Sequence, residues 1–218
     1  MTNNTFLGDK ILSLQFIDIP PQTGNSPTGL MVVLHGWGAN ANDLASLVPE
    51  VNLPEFQFLC LDAPFPHYSV QGGKAWYSLE RSDYQGLAES RQMLGEWLTT
   101  LPKITDIPLS QTFLCGFSQG GAMTLDVGVT LPLAGLICLS GYLHAEPQPK
   151  PKPLPPALII HGRQDNVVPI RAAHQARNIL SVLGSRVEYE EFDMGHEIPM
   201  SVLPVIRNFV MQVMAEVC

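Results

Sequence analysis

The sequence predicts an α/β protein: a mainly parallel sheet with helices on both faces. Three observations carry this. Short apolar runs alternate with longer segments of helical spacing, several runs are apolar without alternation, and one run ends in a serine framed by glycines ahead of a helix. With 218 residues, 45% hydrophobic and 15% charged, the chain can bury one sizeable core, and a single domain over 1–218 is expected.

Taken in order, 11–18 alternates in part and 30–34 is apolar, with Pro20, Pro21 and Gly29 between them, which predicts an antiparallel opening pair. His35-Gly36-Trp37-Gly38-Ala39-Asn40 follows as a glycine-bearing loop, and 42–48 as a short capped helix. Residues 56–61 read as a strand and 62–81 as an irregular stretch. Over 82–100, Leu87, Met93, Leu94, Trp97 and Leu98 recur at helical spacing, with Glu89, Arg91 and Glu96 for the wet face. Residues 112–115 form a short buried strand, and a helix begins near Gly121. Strands are expected at 134–140, 157–160 and 186–192, and helices at 171–183 and 202–217. The proline-dense stretch 147–156 reads as a stiff surface connection, because the chain beyond it is too short to fold alone and resumes the same alternation. Neither an internal repeat nor a large cap domain is evident.

Composition excludes some functions. A net charge of −8, with 12 scattered Lys and Arg residues, repels nucleic acid phosphate and anionic lipid headgroups. No apolar run approaches the ~20 residues of a membrane helix, and the polar start Met1-Thr2-Asn3-Asn4-Thr5 lacks the layout of a signal peptide, so no membrane span and a cytoplasmic location are expected. Cys60, Cys115 and Cys138 lie in apolar runs as small hydrophobes, with no C-x-x-C pairing. His196-Glu197 lacks the second histidine of a zinc helix, and no phosphate loop or dinucleotide fingerprint occurs; neither metal nor cofactor is expected.

The chemistry gathers around Gly116-Phe117-Ser118-Gln119-Gly120-Gly121. Its setting between strand and helix is that of a nucleophile elbow, in which glycines remove the β-carbons that would collide and the serine is pushed into the open. A serine hydroxyl needs a base to take its proton and a carboxylate to orient that base. With this elbow the partners follow in the order acid, then histidine, on loops at strand ends. Two loops qualify, 161–169 and 193–198, which nominates Ser118, Asp165 and His196. Asp126, on the elbow helix, and Asp193, only three residues before His196, read as surface or structural groups. His35 and His161 each precede a glycine at a strand end and read as loop-shaping.

The blocks Leu34-His35-Gly36-Trp37-Gly38, Asp62-Ala63-Pro64, Ala75-Trp76-Tyr77, Gly116 to Met123, Leu139-Ser140-Gly141-Tyr142, His161-Gly162 with Asp165 and Val167-Val168-Pro169, and Gly195-His196 occur in order over most of the chain. Together they resemble the phospholipase/carboxylesterase branch of the α/β-hydrolases, which includes bacterial carboxylesterases and acyl-protein thioesterases. The resemblance implies an α/β-hydrolase fold and an oxyanion held by the backbone N–H groups of Trp37 and Gln119. Trp76, Tyr77 and Phe65, in a long loop at the catalytic edge, are expected to wall the substrate pocket. That loop has Gly73-Lys74 where many relatives carry methionine-arginine.

The expected activity is hydrolysis of carboxylic esters with short to medium acyl chains, lysophospholipids or thioesters, through an acyl-enzyme on Ser118. The partner is a small-molecule ester or thioester, and the protein a monomer or homodimer. The alternatives are an acyl-protein thioesterase and a non-catalytic homologue that binds ligand in the same pocket.

Overall fold

The computed structural model describes residues 14–80, 83–148 and 153–217. The expected strand start at 11–13, residues 81–82 at the loop–helix junction and residues 149–152 of the proline-dense stretch lie outside them. A seven-stranded sheet runs in the order β1 (Phe16–Ile19), β3 (Phe56–Leu61), β2 (Gly29–Leu34), β6 (Thr112–Phe117), β7 (Gly135–Leu139), β8 (Ala157–Gly162) and β9 (Val187–Phe192). All neighbours are parallel except β1, which runs antiparallel to β3. This is the α/β-hydrolase arrangement expected from the sequence.

One expectation is corrected. The opening two strands are not paired with each other: β1 pairs with β3, Phe16 facing Leu61, while β2 lies one place further in, between β3 and β6. The reason is burial. Gly29–Leu34 is apolar on both faces and suits a central position, whereas Phe16–Ile19 is mostly half-buried and suits an edge.

Alternation along each strand divides the core into two layers. Leu30, Val32 and Leu34 of β2, with Leu59 and Leu61 of β3 and Leu114 of β6, pack on one face with helices α3 (Leu87–Thr105), α4 (Gln119–Gly128) and α5 (Arg171–Val182). Met31, Phe58, Cys60, Phe113 and Cys115 point the other way, against the short helices α1 (Ala41–Ala45) and α2 (Val48–Val51) and the long α6 (Leu203–Val217). The three cysteines of this core are buried and free, and burial pushes the thiols of Cys60 and Cys138 up to about 12.

Helix boundaries follow local chemistry. Asn40 caps α1 in a capping box, its side chain accepting from Asn42 N while Asp43 accepts from Asn40 N at 2.8 Å. The α3 helix begins later than its periodicity suggests, at Leu87 after Gly86, and runs on past Pro102. The stretch expected to be irregular contains a small ladder, β4 (Phe65–Pro66) against β5 (Lys74–Ala75). The described end of the proline-dense connection is anchored, Leu136 N donating to Pro156 O and Ser185 Oγ to Pro155 O. Among the described residues, no helix is long and apolar enough to cross a membrane, and no group of three or more metal-ligating side chains occurs.

Candidate active site

The site is built at the carboxyl ends of β2, β6, β8 and β9. β6 leads into Ser118 at φ 54 and ψ −115, a conformation rare for a residue with a side chain. Its backbone is locked, Ser118 N donating to Leu139 O at 2.8 Å and Ala122 N to Ser118 O at 3.0 Å. The flanking glycines are required by contact. A β-carbon on Gly116 would lie 2.2 Å from Gly120 O, and one on Gly120 2.2 Å from Leu34 O. Strand, elbow and helix backbones therefore touch directly, and the serine side chain is the group left projecting.

The loops after β8 and β9 are stitched together beside the elbow. Arg163 N donates to Phe192 O and Gln164 N to Met194 O, and a β-carbon on Gly162 would meet Met194 O at 2.3 Å. This close approach brings together three residues distant in sequence. His196 Nδ1 donates to Asp165 Oδ2 at 2.7 Å, and His196 Nε2 accepts from Ser118 Oγ at 2.9 Å. The Asp165 side chain is fully buried, and its Oδ1 accepts from Val167 N and Val168 N, both at 2.8 Å. Burial by itself would raise the carboxyl's proton affinity, but the hydrogen bonds from His196, Val168 and Val167 together outweigh it and hold Asp165 below the ordinary carboxylate value. A buried carboxylate that stays ionised fixes the proton of His196 on Nδ1 and leaves Nε2 bare toward the serine. The Phe117 ring lies 4.8 Å from the imidazole, centroid to centroid.

The loop after β2 reaches the same point. A β-carbon on Gly36 would sit 3.3 Å from Ser118 Cβ, so Trp37 follows directly beside the serine. The loop is pinned from behind by Gly38 N to Lys74 O and Lys74 N to Ala39 O. Gly73 fits here because a β-carbon would strike Gly38 O at 2.5 Å. Gln119 opens α4, where backbone N–H groups lack intrahelical acceptors, so its amide is a free donor type at the helix end nearest Ser118.

Phe65 and Tyr77 line a cavity of about 270 Å3 together with Trp37, Tyr68, Glu80 and Glu89. Trp76, expected beside them, is absent from that lining; it is fully buried, as Tyr77 is, and its indole N–H donates to His35 O at 3.0 Å. The ring belongs to the same buried cluster as Leu94 and Leu98 of α3 and Leu34 of β2, and its N–H is satisfied within that core. Sequence reasoning missed the side chain of Gln119. It is 1% exposed, accepts from Trp76 N and donates to Tyr77 O, both at 2.8 Å, and so ties the cavity wall to the residue after Ser118. A contact across more than forty residues leaves no local signal.

The remaining candidates separate cleanly. Asp193 is 77% exposed and pairs with Arg163. Asp126 is structural but not on the surface: its side chain is 6% exposed, with Arg91 Nη2 at 2.6 Å and His144 Nδ1 at 2.7 Å. His35, fully buried, donates from Nδ1 to Gly36 O and accepts at Nε2 from Ala63 N. Burial lowers its proton affinity below the ordinary imidazole value. Because the unfolded chain takes up this proton below about pH 6.5 and the folded protein resists it, His35's contribution to stability is complete above that pH and declines as pH falls. His35→Phe, which strands the Ala63 N–H, is expected to cost about 1–3 kcal/mol at neutral pH and to flatten this part of the acid dependence. Urea midpoints of both proteins at pH 7.5 and 5.5 check this; parallel declines refute it.

Comparisons with known proteins agree with this architecture. Acyl-protein thioesterase 1 of Neurospora crassa is 29% identical over 210 residues, covering 84% of this chain and 85% of its own. The crystal structure of esterase PE8 superposes with a TM-score of 0.84 at 30% identity, over 92% of this chain and 99% of that one. The carboxylesterase of Bacillus cereus shares the fold, with a TM-score of 0.80 at 15% identity over 92% of this chain and 94% of its own. The chain is thus a hydrolase of the carboxylesterase and thioesterase type. The phospholipase/carboxylesterase family model matches residues 21–214, and the chain belongs to that family.

Proposed function

We propose that the protein hydrolyses carboxylic esters and thioesters of short to medium acyl chains by double displacement on Ser118. The observation that carries this reading is the continuous hydrogen-bonded line from Asp165 through His196 to Ser118 Oγ. In the first step Ser118 Oγ attacks the acyl carbonyl, its proton passes to His196 Nε2, and the tetrahedral oxyanion takes hydrogen bonds from the Trp37 and Gln119 amides. Collapse expels the alcohol or thiol, which leaves with the proton from His196. Water then repeats the sequence on the acyl-enzyme and frees the acid. Asp165, ionised and buried, stabilises the imidazolium formed in each half. The neighbouring cavity, walled by Trp37, Phe65 and Tyr77, accepts the apolar portion of the substrate.

A fluorophosphonate probe is expected to label the wild-type protein once, on the peptide carrying Ser118. Paired oxygen and thioesters of matched chain length then rank the two leaving groups, since the kinship to acyl-protein thioesterases makes thioester turnover a specific expectation. Absence of labelling, or labelling elsewhere, would falsify the mechanism.

A further inference from the structure

We propose that His161 is a positioning residue, which holds Asp165 at the angle that His196 requires. The proposal rests on the triad reading and adds a residue to it. His161 is the last-but-one residue of β8, four positions before Asp165, and both side chains are fully buried. Its Nε2 lies 2.8 Å from Val168 O and 3.5 Å from Asp165 Oδ2. Both are acceptors, so Nε2 carries the proton and faces the carboxylate and the far side of its loop at once.

The consequence is a closed clip. Val168 N donates to Asp165 Oδ1 while Val168 O accepts from His161, so one residue links the carboxylate to the imidazole through both of its backbone polar groups. Asp165 Oδ1 is occupied by Val167 and Val168, and Oδ2 lies between His196 and His161. His161 directs its Nε2 proton to Val168 O, so it holds the loop whose amides fix Oδ1 and stands as a wall 3.5 Å from Oδ2. His196 alone could not achieve this, because it must itself be oriented by the group it would be holding.

The cost of carrying this histidine supports a role beyond packing. His161 Nδ1 is buried without a hydrogen-bond partner, and so is Ser140 Oγ, which the register of β7 with β8 places at the neighbouring strand position. Ser140 also sits at φ 48. Unsatisfied buried polar atoms and a strained residue, adjacent at the strand ends that support a reaction centre, are features that apolar side chains would avoid.

The test compares His161→Gln, whose amide nitrogen reaches about as far as the imidazole Nε2, with His161→Asn, whose shorter side chain cannot reach Val168 O, and with His161→Phe. Asn and Phe are expected to lower kcat by about 10–100-fold, with KM nearly unchanged because His161 lies outside the substrate cavity. They should also move the pH midpoint of kcat/KM downward, since a carboxylate that drifts from His196 stabilises the imidazolium less. Gln should restore most of both. In an Asp165→Asn background, His161→Asn should cause no further loss. Variants that melt earlier yet keep kcat and the pH midpoint, a Gln variant no better than Asn, or a full further loss in the Asp165→Asn background overturn the proposal. Fluorophosphonate labelling of the wild type separates this from failure of the triad reading, which would abolish labelling regardless of residue 161.

Discussion

Ser118→Ala is expected to reduce ester turnover by about 10⁶-fold, with a melting temperature close to that of the wild type. The alanine keeps the β-carbon and so the strained elbow, including the Ser118 N to Leu139 O bond that holds it. Only the hydroxyl at 2.9 Å from His196 Nε2 is lost. His196→Ala should cost about as much, and Asp165→Asn less, about 10⁴-fold, because the amide preserves the shape while presenting a donor to the wrong side of the imidazole. Stopped assays with an aryl ester, read beside fluorophosphonate labelling, check the series. Comparable turnover by Ser118→Ala, freed of contaminating esterase by a second purification, removes Ser118 from the reaction.

Gly120→Ala is expected to be among the most damaging single-methyl insertions for stability, about 3 kcal/mol or more. The new β-carbon would stand 2.2 Å from Leu34 O and 2.6 Å from His35 O. These are backbone atoms at the end of the interior strand β2, so no side chain can swing aside; α4 must move outward as a body. That movement carries Ser118 and the Gln119 amide away from the Trp37 loop, so activity should fall about 10²-fold in the fraction that still folds. Gly95→Ala is the internal contrast. It lies mid-helix in α3, where a β-carbon meets only Val127 Cγ1 at 3.7 Å, and a gain of about 0.5–1 kcal/mol is expected from helix propensity. Chemical denaturation of the two variants beside wild type checks both signs, and a Gly120→Ala protein as stable as wild type contradicts the contact argument.

Much of this architecture is legible residue by residue. The alternation that sends Leu30, Val32 and Leu34 to one layer and Met31 to the other is a period-two pattern in adjacent residues. The elbow is equally local, since Gly116, Ser118 and Gly120 lie within one turn of chain. Strand pairing is not local. Nothing in Phe16–Ile19 names Leu61 as its partner, and the antiparallel edge beside β3 follows from which strands need cover on both faces.

By itself, the sequence determined the order of strands and helices, the serine at the elbow, and the short list of acids and histidines that follow it, because each depends on the spacing and stiffness of neighbouring residues. Only the tertiary structure shows which of them meet. Asp193 lies only three residues before His196, yet it points to solvent and pairs with Arg163, while Asp165 lies 2.7 Å from the imidazole. Trp76 became core and the Gln119 side chain became the clamp of the cavity wall. These outcomes turn on burial and on hydrogen bonds between distant segments, which come into being when the layers close over the sheet and exchange water for the few protein partners within reach.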